Sequence, residues 1–197
     1  MLTLFLDFCS HRKIIAVVRD SETLAEKELA DHTDEAAVMP AIEECVKQAG
    51  GSLNKIERIA AVMGPGGFMS QRVGLSIANA LSWSLQIPIG GLHLSDLYAA
   101  RVDGDVLWIH STKKQLLFIR GFGKYATTWP EPVTITLDEL KTVTEGFYFG
   151  EVLPEQATVL QIKPLADMKT VSDVLPNLLD SISYEKKSLV PWYGRGA

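Results

Sequence analysis

The sequence contains few of the residues that build metal sites and disulfide frameworks. Only two cysteines and four histidines occur in 197 residues. Cys9 and Cys45 form no CxxC pair, so we predict that both are small core residues in a reducing compartment. The histidines, which show no HxxxH or other ligand spacing, are His11, His32, His93 and His110. A histidine metal site is therefore not expected in this chain.

Long apolar runs are also missing. No stretch reaches the roughly 18 to 20 apolar residues that a bilayer span needs. The opening segment, MLTLFLDFCSHRK, has no basic region before its apolar run and meets Asp7 early, which indicates a first strand rather than a leader. We expect no membrane association and a cytoplasmic location.

Excess positive charge, the usual mark of a protein that binds nucleic acid by itself, is absent. The formal net charge is −5, whereas affinity for RNA comes mostly from cations that meet phosphates. The lysine pairs Lys113-Lys114 and Lys186-Lys187 are too short to change this and are interpreted as solvated surface. Any contact with RNA is expected to need a partner.

The first part of the chain predicts one α/β lobe. Three strands, LTLFLDF, KIIAVVRD and ETLAEKELA, suggest an antiparallel meander. A helix is predicted over residues 34–49, with Pro40 as a kink or the end of a loose first turn. There follow a buried strand at 57–64, a helix from about Met69 to Leu85, the strand IPIGGL and the helix HLSDLYAAR. This order is that of a ribonuclease-H-like lobe.

The remaining chain predicts a second, smaller lobe after a turn at residues 101–105. Its predicted strands are DVLWIHS, KKQLLFIRGFG, PVTIT, FYFG and ATVLQI, with LDELKTV as a short helix. A final helix is predicted over 167–183, interrupted by Pro176. The predicted division is 1–101, 102–183 and a C-terminal tail of 184–197, with lobes of related strand order.

A glycine turn joins the buried strand to the second helix. Gly64, Pro65, Gly66 and Gly67 occupy a strand–turn–helix position that often holds a phosphate. No lysine follows as in GxxxxGK[ST], and Met69 stands where GxGxxG needs its third glycine. A structural turn and a phosphate cradle both remain open at this point, with Phe68 predicted to pack inward as an anchor.

The helix after the turn has two candidate faces. The predicted core stripe consists of Val73, Ile77, Ala80, Leu81, Ser84 and Leu85. Gly74, Ala78 and Ser82 form a row of small residues beside it, suited to packing on the sheet or on another chain. Trp83, flanked by Arg72 and Ser76, is either an interface anchor or a partly buried intramolecular residue.

These motifs resemble the bacterial TsaB (YeaZ) family, a non-catalytic relative of the TsaD enzymes in the actin-like superfamily. GPGGFMSQRVG matches the family motif GPGSFTGxRxG at Gly64, Pro65, Gly66, Phe68, Arg72 and Gly74. His32-Thr33, Pro40 and a C-terminal Pro191, Tyr193 and Arg195 also match. The resemblance is strongest over residues 1–101 and implies an actin-like fold of two ribonuclease-H-like lobes, the second reduced.

Several positions depart from the family pattern. Phe8 follows Asp7 where members usually place Thr or Ser, and active relatives contact phosphate there. Gly67, Met69 and Ser70 replace the usual Ser, Thr and Gly in the turn. The second lobe opens with Ile109-His110-Ser111-Thr112 in place of an Asp-Ala-Arg-like turn. Each change removes a polar contact of a nucleotide site, so Asp7 is predicted to be a hydrogen-bonded structural residue rather than a phosphate or metal contact.

The resemblance implies a scaffold. TsaB-like proteins pair with TsaD, or with themselves, through the two helices of the first lobe, and together with the ATPase TsaE support threonylcarbamoyl transfer to adenosine 37 of tRNAs that read ANN codons. The implied partner interface here is Val38, Ile42, Gly74, Ala78, Ser82 and Trp83. No cofactor is expected on this chain alone, with ATP and metal on partner subunits and tRNA bound only through the complex.

Two other functions remain open from the sequence. One is a small ATP-dependent kinase or ATPase of the same superfamily. The other is a homodimeric binding protein that no longer serves tRNA modification.

Overall fold

The computed structural model describes residues 1–30, 33–112 and 116–194. They divide into two compact units, one of Met1–Leu94 with Thr170–Trp192 and the other of Ser95–Lys169 with the C-terminal residues from Tyr193. This division differs from the predicted one, since the break falls before residue 95 and the last helix joins the first unit.

The first unit is built on a five-stranded sheet with helices between its later strands. Its elements up to residue 93 are β1 (Leu2–Asp7), β2 (Lys13–Arg19), β3 (Glu22–Leu29), α1 (Glu35–Gln48), a 3-10 turn (Leu53–Lys55), β4 (Arg58–Gly64), α2 (Phe68–Leu85) and β5 (Ile89–His93). The strand order is β3-β2-β1-β4-β5. β1, β2 and β3 pair antiparallel, whereas β4 and β5 run parallel to β1. The predicted meander and ribonuclease-H-like order are confirmed.

The core of this unit lies between the sheet and its two helices. α1 and α2 contribute to one cluster of buried side chains together with alternate residues of β1 and β2. From α1 these are Val38, Ala41, Ile42, Cys45 and Val46. The helical period predicted for this segment is therefore confirmed, and α1 continues through Pro40.

The second unit repeats the strand order with smaller helices. Its elements are α3 (Leu94–Ala99, which starts at the division), β6 (Val106–Ser111), β7 (Leu116–Gly121), β8 (Val133–Thr136), α4 (Leu137–Leu140), β9 (Phe147–Glu151), α5 (Pro154–Ala157) and β10 (Lys163–Pro164), with a 3-10 turn at Gly123–Thr127. The sheet order β8-β7-β6-β9-β10 corresponds position by position to that of the first unit. The helices between its later strands, α4 and α5, have four residues each. This lobe is therefore smaller than the first, as predicted.

One predicted strand of the second unit is wrong. The segment ATVLQI, residues 157–162, was expected to be extended, but Ala157 ends α5 and pairing starts only at Lys163. Pro154 opens α5, and the Gln156 side chain accepts a hydrogen bond from the Leu153 amide at 3.1 Å. These local bonds favour a helical turn over a strand.

The last helix, α6 (Val171–Ser181), belongs to the first unit. Its apolar face is buried, including Pro176, which does not interrupt it. It packs on β2 and β3, and the Thr23 hydroxyl donates to the Ser172 carbonyl at 2.8 Å. Because the sheet covers this apolar face, the predicted lobe of 102–183 and the separate tail of 184–197 are corrected.

A capping box sets the start of α6. The Thr170 hydroxyl accepts from the Asp173 amide at 3.2 Å, and the Asp173 carboxylate accepts from the Thr170 amide at 3.1 Å. Hydrogen bonds from the Thr170 hydroxyl and amide hold the pKa of Asp173 below its usual range. The ionised carboxylate therefore stabilises the helix start at pH values above its ordinary pKa, and this contribution is lost as the pH falls through the lowered pKa.

Among the described residues, no helix is both long and apolar enough to cross a membrane.

Candidate functional site

The glycine turn lies between the end of β4 at Gly64 and the start of α2 at Phe68. The Gly64–Pro65 peptide is cis, and Gly64 has a φ of +141°, which favours glycine. Gly67 occupies the N-cap of α2 without a side-chain hydrogen bond. The predicted strand, turn and helix are therefore present.

Protein groups fill the space beside Gly64. The Gln71 side-chain amide donates to the carbonyls of Met63 and, at 2.7 Å, of Trp192. The Trp192 amide donates to the Met63 carbonyl at 2.8 Å. A Cβ at Gly64 would overlap the Trp192 carbonyl and the Gln71 amide. Carbonyl acceptors facing a carboxamide donor support a structural turn here rather than a phosphate cradle.

The other side of the turn packs on the end of β1. A Cβ at Gly66 would lie 2.6 Å from Cys9 Cα and 2.9 Å from its carbonyl oxygen. Buried Asp7 fixes this segment, since its carboxylate accepts from the amides of Cys9 at 2.8 Å and Ser10 at 3.1 Å and from the Ser10 hydroxyl. The prediction that Asp7 is hydrogen-bonded within the chain is confirmed. Ser10, which the sequence analysis missed, was detectable from the Asp-x-x-Ser spacing of a local turn.

Both cysteines are buried, as predicted. The Cys45 thiol lies 3.6 Å from the Ile15 carbonyl, and burial raises its pKa to about 11. Because the thiolate is the reactive form, we expect neither cysteine of the folded chain to react with an aromatic disulfide reagent within minutes at pH 8. Two thiols should react after unfolding in guanidinium. Fast release of one equivalent from the native chain would contradict this assignment.

Phe8 follows Asp7 directly at the end of β1. Its ring is buried, 3% exposed, and belongs to the core of the first unit. It packs against α2 at Gly74, where a Cβ would lie 2.8 Å from Phe8 Cγ. An apolar ring therefore fills the junction of β1 and α2, and the small residue opposite is what makes room for it.

The small-residue row of α2 faces the sheet. Its buried residues are Gln71, Gly74, Leu75, Ala78 and Ser82. The predicted core stripe is wrong at Ala80 and Ser84, which are exposed. Ile77 and Leu81 are partly buried and pack against the core, and Val73 and Leu85 are partly buried. The structure changes the assignment of three residues from contacts with a partner to contacts within the first unit: Gly74, Ala78 and Ser82. Their small side chains let the helix approach the sheet closely.

The predicted contacts on α1 are corrected in the same way. Val38 is 2% exposed and Ile42 is 0% exposed, and both lie in the core of the first unit. Of the six predicted interface residues only Trp83, 78% exposed, is accessible to another molecule. Trp83 is thus a surface residue, which excludes the partly buried intramolecular alternative and leaves the interface anchor as a prediction.

The opposite side of α2 carries an exposed apolar stripe. It begins at Phe68 and Met69, which are 56% and 62% exposed. The prediction that Phe68 packs inward is wrong, because the helix starts at this residue and turns its ring outward, where the Arg72 guanidinium lies 4.5 Å from the ring centre. The docking stripe, as we name it, consists of Phe68, Met69, Arg72, Ser76, Ala80 and Trp83.

The predicted C-terminal motif is only partly described. Pro191 is partly buried in the first unit, whereas Tyr193 is 45% exposed and belongs to the second. Arg195 lies outside the described residues, as do His32, Lys113 and Lys114. The neighbouring Trp192, which the motif skips, makes the backbone contacts with Gln71 and Met63 described above.

Polar side chains of the second unit form contacts that the sequence did not predict. Arg120 donates to the Ser95 hydroxyl at 2.9 Å and to Asp96 at 2.6 Å. The buried His110 Nδ1 lies 3.5 Å from the Glu151 carboxylate. Asp96 forms its ion pair with Arg120 of β7, which lies 24 residues later in the chain.

Comparison with protein families agrees with this geometry. Residues 20–150 match the family described as TsaD, tRNA N6-adenosine threonylcarbamoyltransferase. The chain belongs to this family. The match runs from the end of β2 to β9 and includes the glycine turn and α2.

Within the TsaD family the chain is similar to TsaB proteins over nearly its whole length. It is 27% identical over 191 residues to the tRNA threonylcarbamoyladenosine biosynthesis protein TsaB of Buchnera aphidicola, covering 91% of this chain and 84% of that protein. It is 28% identical over 151 residues to the tRNA N6-adenosine threonylcarbamoyltransferase of Syntrophus aciditrophicus. The chain covers only 45% of that transferase. The resemblance to TsaB (YeaZ) is confirmed.

A solved structure shows the same fold. YeaZ from Pseudomonas aeruginosa matches with a TM-score of 0.71 and 15% sequence identity, covering 98% of this chain and 99% of that chain. Together with the repeated strand order, this confirms the predicted actin-like fold of two ribonuclease-H-like lobes.

Proposed function

We propose that this chain is a non-catalytic subunit in tRNA threonylcarbamoyladenosine biosynthesis and that it docks a TsaD-like transferase through α2. Family membership and the similarity to TsaB support the role in this modification. On this proposal the transferred group reaches adenosine 37 of tRNAs that read ANN codons through the partner's chemistry. A TsaE-like ATPase is the further proposed partner, with ATP and metal bound on the partner subunits and tRNA contacted through the complex.

The filled junction of β1 and α2 is the observation that carries the non-catalytic assignment. Active members of this fold place polar groups beside the first-strand aspartate, whereas Asp7 here is buried and bonded to Cys9 and Ser10. Phe8 packs on Gly74, and the Trp192 carbonyl and Gln71 amide close the turn at Gly64. Protein atoms therefore occupy the space beside Gly64 and Gly74.

The docking stripe supports the proposed interface. It runs along α2 from Met69 to Trp83 and presents small residues, Ser76 and Ala80, between large ones. Small residues in the middle allow another helix to approach, and an exposed Met and Trp at the ends provide apolar area. In the absence of the transferase the same stripe is the proposed contact of a homodimer.

Blocking the middle of the stripe tests the proposed function. We expect Ser76→Trp to weaken association with the TsaD-like protein of the same organism at least tenfold, about 1.4 kcal/mol, because the bulky ring prevents close approach. Thr144→Trp, which adds the same ring at an exposed position of the second unit, is the matched control and should bind normally. Dissociation constants from calorimetry, with melting temperatures to check folding, give the comparison. Equal affinities would rule out the stripe as the interface.

Titration of the isolated chain with Mg-ATP tests the kinase or ATPase alternative. A tight one-to-one isotherm would favour an enzyme of this fold.

Complementation of a strain depleted of its own TsaB tests the homodimeric alternative. Restoration of the modified adenosine would support the proposed function, whereas failure to restore it would favour a homodimeric binding protein.

A further inference from the structure

A surface pocket of about 200 Å³ opens at the C-terminal end of α2, where the docking stripe finishes. It lies entirely within the first unit, between the last turns of the helix and the chain that follows α6. Its lining residues are Asn79, Ser82, Trp83, Gln86, Ile87, Lys186, Lys187 and Ser188. One wall is thus an exposed indole and the other an exposed lysine pair.

Hydrogen bonds fix the frame of this pocket. The Asn79 side chain donates to the Leu189 carbonyl at 3.0 Å and accepts from the Leu189 amide at 2.8 Å, which attaches the chain carrying the lysines to α2. The Ser82 hydroxyl donates to the Ile87 carbonyl at 2.7 Å, and the Gln86 side-chain amide donates to the Trp83 carbonyl at 2.6 Å. The pocket is therefore preformed.

The charge at the pocket is positive. Among the described residues, none that lines the pocket is acidic. α2 contains no Asp or Glu, and Arg72 is its one charged residue. Lys187 forms an ion pair of 2.8 Å with Glu185, while Lys186 adds a further positive charge. The Ser82 and Trp83 carbonyls at the helix end are occupied by the Ile87 amide and the Gln86 side chain. The lysines are thus not needed as caps for α2.

We propose that this pocket binds an acidic side chain of the partner protein, an aspartate or glutamate, whose neighbouring apolar surface covers Trp83. This inference rests on the proposed function and specifies the chemistry of the partner at one end of the docking stripe. Arg72 lies eleven residues before Trp83, about 16 Å along the helix at 1.5 Å per residue. The partner helix is therefore expected to be acidic at the Trp83 end and again near Arg72, with small or apolar residues between.

The surroundings favour a protein carboxylate over an RNA phosphate. The pocket lies at the end of the docking stripe, whose exposed apolar residues include Met69, Ala80 and Trp83, and such a surface suits another protein. The formal net charge of the chain is −5, which opposes RNA elsewhere on the surface. A lysine pair beside one exposed indole matches a single charged anchor in a mixed interface.

Charge reversal in the complex tests this proposal. We expect Lys186→Glu with Lys187→Glu to weaken association with the TsaD-like protein at least tenfold, and Trp83→Ala to weaken it by a similar factor. Lys55→Glu with Lys163→Glu, two exposed positions away from the pocket, changes the net charge equally and should bind like the wild type. Raising the salt concentration should weaken the wild-type complex more than the Lys186/Lys187 variant. A carbodiimide cross-link should join Lys186 or Lys187 to a partner Asp or Glu.

Each other outcome has a distinct meaning. Absence of association between the wild-type chain and the transferase would contradict the proposed function itself. Normal affinity of the charge-reversal variant, with the wild-type complex intact and Ser76→Trp still disruptive, would overturn only the acidic-partner proposal. Loss of tRNA binding by that variant without any change in partner affinity would assign the pocket to RNA and overturn the proposal as well. Unchanged melting temperatures of the exposed-site variants exclude misfolding as the cause.

Discussion

Replacing Phe8 by alanine is expected to lower the free energy of unfolding by about 3–5 kcal/mol, the usual range for truncating a buried aromatic residue. The ring is 3% exposed and packs within the core of the first unit. Its partner at α2 is Gly74, which has no side chain that could move into the space. The cavity would therefore persist, and both lost burial and lost packing contribute.

Phe68→Ala is the matched control for this substitution. Phe68 is 56% exposed in the same unit, so its truncation is expected to change the unfolding free energy by no more than about 0.5 kcal/mol. Denaturant unfolding followed by far-ultraviolet circular dichroism measures both variants. Similar losses for Phe8→Ala and Phe68→Ala would contradict the burial of Phe8 between β1 and α2.

Gly66→Ala is expected to lower the free energy of unfolding by about 1–3 kcal/mol, the usual cost of overpacking. The added methyl group would lie 2.6 Å from Cys9 Cα and 2.9 Å from the Cys9 carbonyl oxygen. Backbone atoms cannot move aside as a flexible side chain can, and the Asp7 carboxylate holds this backbone through the Cys9 and Ser10 amides. The turn would have to separate from β1.

The adjacent glycine provides the control for the turn. A Cβ at Gly67 would lie 3.6 Å from Ser70 Oγ, an ordinary contact, so Gly67→Ala should unfold at nearly the wild-type denaturant concentration. Thermal and denaturant midpoints compare the two variants. A stable Gly66→Ala protein beside a destabilised Gly67→Ala protein would reverse the assignment of which glycine the close approach requires.

Gly66 and Gly74 show how contacts within the protein stabilise the turn. In a phosphate-binding loop, glycines allow the ligand to approach the backbone. Here Gly66 and Gly74 allow Cys9 and Phe8 to approach instead. Contacts within the first unit now stabilise the strand, turn and helix, and α2 keeps an exposed face that is available for a partner in the proposed function.

The sequence alone determined the order of the strands and the family. Continuous apolar runs fixed β1, β2 and β4, and the glycine turn fixed the start of α2 to within one residue. The resemblance rested on the GPGGFMSQRVG motif together with His32-Thr33, Pro40 and the C-terminal Pro191, Tyr193 and Arg195. The structural role of Asp7 also followed from its local sequence.

Only the tertiary structure decided which side of α2 faces the sheet. Apolar or small residues occur around the whole helix, so its period does not select a single core face, and the predicted stripe included the exposed Ala80 and Ser84. The sheet lies against the side of α2 that carries Gly74, Ala78 and Ser82 together with the buried Gln71 and Leu75. Phe8 packs against Gly74 on this side. The position of α6 was likewise decided by burial, since its apolar face is covered by β2 and β3, which precede it by about 150 residues. Contacts between segments so distant in the chain depend on the shape of the assembled sheet, which local sequence does not encode.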